Sequence, residues 1–346
     1  MSALVMVDHE SLKNFVRSVL SRVGFSVEDA EITADHLVHA NLRGVETHGV
    51  MRLRDYINSI RRSLIKVCGD YVVERDEGPI VKVDCRWCLG IPVAYKLAKL
   101  AVERARRYGL SVIGCRNLAH VGMLGYYTAI MARERMIGFM MANVFPMVAP
   151  LGGAKPLFGT NPVSIAFPTS DSPIVIDMAM SSIPWGEVLV AASRGEGIPE
   201  GVAIDREGRV TTDPAKACAL LPFGGHKGYA LLLAVEVLAG ILGGGVLSVQ
   251  VPSFPGSQGG VLLGAVDPSK FLSYEEYITL VSSLIKEIKS SPRAPGVEEI
   301  LIPGERGERT VKKRIREGIP LDSRTWDMLN DLAKELGLEP PKPKDA

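Results

Sequence analysis

Leu221-Pro222-Phe223-Gly224-Gly225-His226-Lys227-Gly228 runs straight into an apolar stretch, Tyr229–Leu242, and its reading decides the fold. Paired glycines let backbone N–H groups approach an anion, a helix N-terminus adds partial positive charge, and Lys227 adds a full one. The segment is a candidate cradle for a phosphate or another anion, against the plainer reading of a turn that starts a helix and leaves a lysine in solvent. It matches neither common phosphate fingerprint. G-x-G-x-x-G and G-x-x-x-x-G-K-[ST] occur nowhere in the chain, so a doubly wound dinucleotide fold and a P-loop fold are both disfavoured.

Outward from this segment, Tyr229–Leu242 is too short to span a bilayer and reads as a buried helix. Gly195–Asp213 is polar and glycine-rich, a surface excursion. Runs of β-formers between turn residues predict strands at Tyr71–Glu74, Ile80–Asp84, Leu110–Cys115, Met136–Val144, Val163–Phe167, Ile174–Met178, Val261–Val266 and Ile300–Ile302. Helices are predicted at Pro92–Tyr108, Tyr126–Arg135 and Tyr274–Lys289, with two more at the C-terminus. At the N-terminus Leu12, Phe15, Val16, Val19, Leu20 and Val23 share a helical face that ends at Gly24, and Ser26 starts a second helix to about Leu42. Thr47 would cap a third, with Val50, Leu53, Ile57, Ile60 and Leu64 along one side. Helices thus bracket an α/β centre. The simplest division is a helical domain over 1–66, an α/β domain over 67–305, and C-terminal helices over 306–346 that return to the first domain.

The chain has 346 residues, 47% hydrophobic and 23% charged, an ordinary globular composition with room for two cores. Its net charge of +1 creates no field for nucleic acid or an anionic membrane, and Lys312-Lys313-Arg314-Ile315-Arg316 reads as a solvated helix face. Met1–Glu10 shows no apolar leader, so a cytoplasmic protein is expected. Of the five cysteines, Cys85 and Cys88 form a lone C-x-x-C. Zinc would need two further ligands, and two half-buried thiols flanking a turn are favoured over a redox pair. His36 and His39 have no third ligand, so no metal site is expected.

Two segments could carry chemistry. In Glu46-Thr47-His48-Gly49-Val50-Met51-Arg52, helical spacing sets His48 and Arg52 within about 40° of each other and away from the apolar stripe. Arginine offers a planar fork for a carboxylate, and histidine can bond or polarise a neighbouring oxygen. Solvent-facing residues at helical spacing are the plainer alternative. The loop Asn117-Leu118-Ala119-His120-Val121-Gly122, between a strand and a helix, holds His120 where an acid–base group is often placed.

Taken in order, these segments resemble the malate/L-lactate dehydrogenase-like family of non-Rossmann oxidoreductases. The matching pieces are Thr47-His48-Gly49 with Arg52 and Leu53, Asn117-x-x-His120-x-Gly122, Pro150 to Gly153, Gly159-Thr160-Asn161-Pro162, Asp177-Met178-Ala179-x-Ser181, and Leu221-Pro222 through Gly228 with Glu236. Two departures are Val121, where the family usually has an aromatic residue, and Tyr229-Ala230, where it often reads Tyr-Gly. Neither removes a polar group; both bear on pocket shape and so on substrate preference. The resemblance implies an α/β (α+β-type) fold whose cofactor domain is built on a largely antiparallel sheet. It implies hydride transfer between NAD or NADP and C2 of a small 2-hydroxy/2-keto acid: malate/oxaloacetate or an analogue such as lactate or sulfolactate. His120 would be the general acid/base, and His48 and Arg52 would hold the substrate carboxylate. Asp177, Met178, Ala179, Lys227 and the Pro303-Gly304-Glu305 turn would line the dinucleotide, with Val144 near the nicotinamide. Members form homodimers with the active site close to the subunit interface. An NADPH-dependent cyclic imine reductase of the same family is the nearest alternative. A non-catalytic anion- or dinucleotide-binding protein is the alternative from another class, and it would need the cation but not the acid/base. A dicarboxylate or sulfonate would want a second cation, for which Arg54 and Arg116 are candidates.

Overall fold

The N-terminal helices form where side chains can satisfy their first turns. In a computed structural model that describes residues 4–252 and 259–344, strand β1 (Val5–Val7) leads into α1 (His9–Arg22), whose first turn is capped by Asp8 accepting the Ser11 N–H. Helix α2 (Val27–Leu42) is capped in the same way by Ser26, and α3 spans Leu53–Arg61. Next come β2 (Val72–Glu77), β3 (Ile80–Asp84), α4 (Gly90–Tyr108), β4 (Leu110–Arg116), α5 (Leu124–Arg133), β5 (Ile137–Asn143), β6 (Val163–Phe167) and β7 (Ile174–Met178). The chain continues through α6 (Trp185–Arg194), β8 (Ala203–Ile204), β9 (Ala219–Leu220), α7 (His226–Val235), β10 (Gly260–Val266) and α8 (Tyr274–Ser290). It closes with α9 (Glu305–Glu317), β11 (Ile319–Leu321) and α10 (Ser323–Leu336).

Seven strands form one sheet in the order β2-β3-β4-β10-β5-β6-β7. Only β3 and β4 run parallel; every other neighbouring pair is antiparallel. The largely antiparallel sheet expected from the resemblance is therefore present. Helix α4 lies on it, with Val93, Ala94, Leu97, Ala98, Ala101 and Ala105 at helical spacing against Val81, Val83, Ile113, Val261, Leu263 and Ala265. A separate core gathers Leu12, Phe15, Val16 and Leu20 of α1, Leu37 of α2, and Ile57 of α3 with Ile319, Leu321, Leu329 and Leu332. Antiparallel pairing of β1 with β11 brings the two ends of the chain together there.

Several expectations need correction. No strand forms at 300–302; that segment is irregular and leads into the turn at Pro303-Gly304, with the Ile302 N–H going to the Glu305 carboxylate. The surface excursion holds one short strand, β8, which pairs antiparallel with β9 just beyond it, and α6 occupies a stretch with no marked pattern. Tyr229–Leu242 is α7 continued by a π-helical segment, Glu236–Leu242, and only one side of it is covered. Leu232, Val235 and Ala239 are buried, while Leu231, Leu233, Val237, Ile241 and Leu242 face outward. The cysteine reading also changes: Cys88 is bonded to Cys68, whereas Cys85 is a free thiol, and both C-x-x-C residues are fully buried. A parallel bridge between Lys66 and Cys88 brings Cys68 alongside, a long-range pairing that no local motif announces.

The π-helical segment begins at Glu236, and there the sheet is tied to the loops beyond it. The Glu236 carboxyl oxygens accept from the Asn143 and Asn161 side-chain amides at 3.3 and 2.9 Å, from the Ser248 N–H, and from the Ser248 hydroxyl at 2.7 Å. Asn143 also accepts the Gly260 N–H at 2.7 Å. All four polar side chains are buried. Replacing the acceptor leaves several donors dry at once, each costing roughly 1–3 kcal/mol. Glu236→Leu should lower unfolding stability by about 3 kcal/mol or more, and Glu236→Gln, which keeps one acceptor oxygen, by less. Denaturant unfolding of the two variants checks the order.

Candidate active site

Asn41 shapes the segment that carries His48 and Arg52. Its side-chain oxygen accepts the Val50 N–H at 2.8 Å, and a Cβ on Gly49 would lie 2.2 Å from that oxygen. The chain therefore crosses Asn41 in an extended step at Gly49 (φ −90°, ψ −157°) between two short 3₁₀ turns, Glu46–His48 and Val50–Arg52. This corrects the expected third helix, since His48 and Arg52 do not share a continuous helical face and α3 starts only at Leu53. They remain joined through Thr47. Its hydroxyl lies 3.0 Å from His48 Nδ1, and Arg52 Nε donates to its carbonyl at 2.7 Å. Arg314 reaches back from α9 to Glu46 at 2.6 Å, so the basic run is docked at this residue rather than wholly solvated.

His120 arrives from the loop after β4. Asn117 turns that loop with a left-handed backbone (φ 53°) and anchors it by donating to both Asp84 carboxylate oxygens at 3.1 Å. Beyond His120 the loop rests on His36, which is fully buried. His36 Nε2 accepts the Met123 N–H at 3.1 Å, and its ring lies where a Cβ on Gly122 (φ +70°) would sit. Gly122 is needed there for both reasons. Among the described residues no group of three potential metal ligands assembles, at His36 and His39 or elsewhere.

The His120 ring stacks on His48 with centroids 5.6 Å apart. Its Nδ1 is 2.6 Å from the Tyr56 hydroxyl, and Nε2 has no hydrogen-bond partner among the described residues. The structure thus unites His48 and His120 and places Arg52 beside them. It adds Tyr56, which sequence reading passed over. The available signal was a hydroxyl on an otherwise apolar stripe, one helical turn beyond Arg52.

Burial pushes His120 well below the usual histidine range, with further lowering from His48 and Arg52. Burial and Arg52 take His48 down to about 4. Burial pushes the Tyr56 phenol well above its usual value, so it keeps its proton. Two neutral imidazoles beside a guanidinium and a phenol are therefore the resting state near pH 7. When Tyr56 donates to Nδ1, Nε2 carries the proton; when Nδ1–H donates to Tyr56, Nε2 presents a lone pair.

The segments expected to line a dinucleotide are stitched together by backbone bonds. Met180 N–H goes to Thr160 O, Phe223 N–H to Met180 O, and Ser182 N–H to Leu221 O, at 2.8, 3.1 and 2.9 Å. These bonds draw the Asp177–Ser181, Gly159–Asn161 and Leu221–Gly228 motifs into one region. Pro303 accepts the Val175 N–H at 3.1 Å, which sets the Pro303-Gly304-Glu305 turn against β7 just before Asp177. Asp177 accepts the Gly125 N–H at 2.7 Å. Its outer edge is open to solvent, but the protein atoms crowding its carboxyl push it up to about 6, against opposing pulls from that N–H and Arg43. Met178 is 40% exposed and Ala179 partly so. Val144 follows β5, its N–H directed at Asn161. Lys227 is exposed in the first turn of α7 with no ion-pair partner among the described residues. Gly224 and Gly225, both with positive φ, leave open space before that helix. An unneutralised lysine on an open, glycine-paired helix N-terminus suits an anionic group such as a pyrophosphate. Arg54 and Arg116 are committed elsewhere, to Glu335 and to Glu74 and Asp84.

The family model described as malate/L-lactate dehydrogenase matches residues 7–330. The chain is 39% identical over 342 residues to malate/(S)-sulfolactate dehydrogenase of Methanothermus fervidus, covering 97% of this chain and 99% of that protein. It is 40% identical over 347 residues to malate dehydrogenase of Pyrococcus horikoshii, covering 97% and 96%. The solved structure of sulfolactate dehydrogenase from Methanocaldococcus jannaschii superposes with a TM-score of 0.92 at 38% identity, covering 96% of this chain and 98% of that one.

The depressed histidines make stability depend on acid. His36 falls to about 3 and His39 and His48 to about 4, so below the usual 6.5 the unfolded chain binds protons that the folded one refuses. Their contribution is complete above about 6.5 and is lost as pH falls toward 4. Histidine-selective NMR should show His48 still neutral at pH 5.5, and thermal unfolding should fall steadily from pH 6.5 to 4.5. A His48 titration near 6.5 would contradict the geometry.

Proposed function

The chain belongs to the malate/L-lactate dehydrogenase family, and from that premise we propose how its residues divide the work. It is a hydroxy-acid oxidoreductase that uses a nicotinamide dinucleotide, which when bound accepts or donates the hydride at nicotinamide C4. The observation that carries the assignment of roles is the 2.6 Å contact between Tyr56 and His120 Nδ1, which leaves Nε2 as the nitrogen for substrate.

In this reading His120 Nε2 takes the hydroxyl proton of the 2-hydroxy acid during oxidation and returns it to the keto oxygen during reduction. Oxidation needs a bare Nε2, so Nδ1–H donates to the Tyr56 oxygen, and the same bond stabilises the imidazolium formed. Arg52 receives the substrate carboxylate through its planar fork, and His48 bonds the same end of the substrate. A bound carboxylate offsets the Arg52 charge that opposes protonation of His120, so substrate binding itself readies the acid for reduction. Val144, Asp177, Met178, Ala179, Lys227, Pro303, Gly304 and Glu305 would hold the dinucleotide, with Lys227 and the α7 N-terminus toward its phosphates. Malate/oxaloacetate is the favoured pair, with sulfolactate and lactate as analogues. An acid–base histidine set against a phenol is more than a non-catalytic binder requires, which argues against that alternative.

The helical layer formed by 1–66 and 306–346 would present Arg52 and Tyr56 to an α/β layer over 67–305. A homodimer is supported by the bare side of α7 and by α8, none of whose residues is buried and whose Leu280 and Leu284 are 58% and 57% exposed. A cytoplasmic location fits described helices of which none is long and apolar enough to cross a membrane. A net charge of +1 gives no reason to expect nucleic acid as a partner.

Absorbance of NADH and NADPH with oxaloacetate, pyruvate, sulfopyruvate, 2-oxoglutarate and a cyclic imine acid tests substrate and cofactor together. Fastest turnover with oxaloacetate supports the malate reading, whereas fastest turnover with the imine and NADPH points to an imine reductase. His120→Ala should lower kcat by ~10²-fold or more. Arg52→Lys should chiefly raise the keto-acid KM, because the bidentate fork is lost. Tyr56→Phe should cost about tenfold in kcat and move the decline of reduction to lower pH, since the imidazolium loses its acceptor.

A further inference from the structure

Cys68 and Cys88 cross-link, over a sequence separation of 20, the two parts of the chain that meet at Tyr56 and His120. On one side, the connector that holds Cys68 follows α3, the helix that carries Tyr56. On the other, Cys88 sits in a segment sewn to the His120 loop. Cys85 N–H goes to Arg116 O at 3.0 Å, Trp87 N–H to Asn117 O at 2.7 Å, and Ala119 N–H to the carbonyl of Cys88 itself at 3.2 Å. Lys66 also donates to Trp87 O at 2.7 Å, joining the connector to the same segment. The fit is close: a Cβ on Gly90, two residues past Cys88, would lie 2.2 Å from Ala119 O and 2.6 Å from His120 O. Arg86, Trp87 and Asn117 all hold left-handed φ values of 56°, 61° and 53° at this junction. Non-glycine residues keep such backbones only where their surroundings over-determine them.

We propose that the Cys68–Cys88 disulfide is a redox-dependent brace that sets the position of His120 against Tyr56, so that reducing it slows hydride transfer without weakening dinucleotide binding. The inference rests on the acid–base role given to His120 above. In the step itself a dithiol reductant attacks Sγ of Cys68, the half-buried member of the pair, and Cys88 leaves as a thiolate that takes a proton. The second thiol of the reductant then closes its own disulfide and frees Cys68. The protein bond gains two electrons and two protons, and the reductant loses the same. Once it is cut, the covalent tie is gone and backbone bonds such as Lys66 N–H to Trp87 O and Leu89 N–H to Lys66 O remain between connector and loop. Among the described residues, the segments around Asp177, Thr160 and Lys227 make no hydrogen bond to either cysteine, so reduction should leave them in place.

The test compares the full-length protein after equilibration with oxidised and with reduced dithiothreitol. Thiol titration after denaturation should count three cysteines (Cys85, Cys115 and Cys218) in the oxidised form and all five in the reduced form. Reduction should lower kcat at 25 °C by about tenfold, as a slight misplacement of an acid–base group does, and leave the cofactor KM unchanged. It should speed amide exchange in the peptide over 117–123 and lower Tm by about 4 °C. Cys68→Ala should match the reduced protein without reductant and no longer respond to it, while Cys218→Ser should respond as the unmodified chain does. Five thiols under oxidising conditions would overturn the proposal, as would full reduction with kcat and exchange unchanged. A protein inactive in both states whose 117–123 exchange still quickens on reduction would refute the assigned reaction and leave the brace standing.

Discussion

Tyr56 and His120 lie 64 residues apart in sequence and 2.6 Å apart in space, and much of the structure serves that contact. Tyr56 comes from the helical layer, where α3 packs into a core shared with both ends of the chain. His120 comes from a loop between the sheet and α5. The loop that carries His120 and the 3₁₀ turns that lead into α3 are soft, so neither could hold the geometry alone. They are stiffened from outside: by Asn41 under Gly49, His36 under Gly122, Asn117 on Asp84, and the disulfide between connector and loop.

The same packing sets the charge state. Three imidazoles in a crowded, partly dehydrated place near a guanidinium are all driven neutral. Under the roles proposed above, a neutral histidine is the right resting base, and the opposite direction would need the arriving carboxylate to lift the penalty on protonation. In that proposal a single arginine would serve as substrate anchor and as a control on its neighbour's acidity, the second of which rests on Arg52 lowering His120. Arg52 is itself paired with Asp55 at 3.3 Å, and Arg54 and Arg116, the other candidate cations, are held by Glu335 and by Glu74 and Asp84, so each would have to loosen an ion pair to take a substrate anion.

On the side proposed for the dinucleotide, the buried carboxyl of Glu236 joins β5, the Gly159–Pro162 loop, α7 and the segment at Ser248. It sits where the helix changes to a wider π-helical turn, a feature common near functional sites. Val237, Ile241 and Leu242 face outward on the same segment, so the polar knot at the sheet and an exposed apolar surface come from the two sides of one helix.

The sequence by itself determined the elements whose periodicity was strong, such as α1, α4, β3, β6 and β7. The missing glycine fingerprint excluded a doubly wound fold, and the spaced motifs pointed to the family and to His48, Arg52 and His120. Local patterns reach only as far as a helical turn or a strand, so they missed what depends on distant partners. The segment at His48 breaks into two 3₁₀ turns because Asn41 fills the space at Gly49. Tyr56 draws no notice in the sequence until His120 arrives beside its hydroxyl. Tyr229–Leu242 has Glu236 as its one charged residue and otherwise reads as a buried helix, yet the chain covers only one side of it. Cys88 sits in a motif with Cys85 but pairs with Cys68, because the bridge at Lys66 decides which sulfur is near. In each case the deciding contact joins residues far apart in the chain, and only folding brings them within reach.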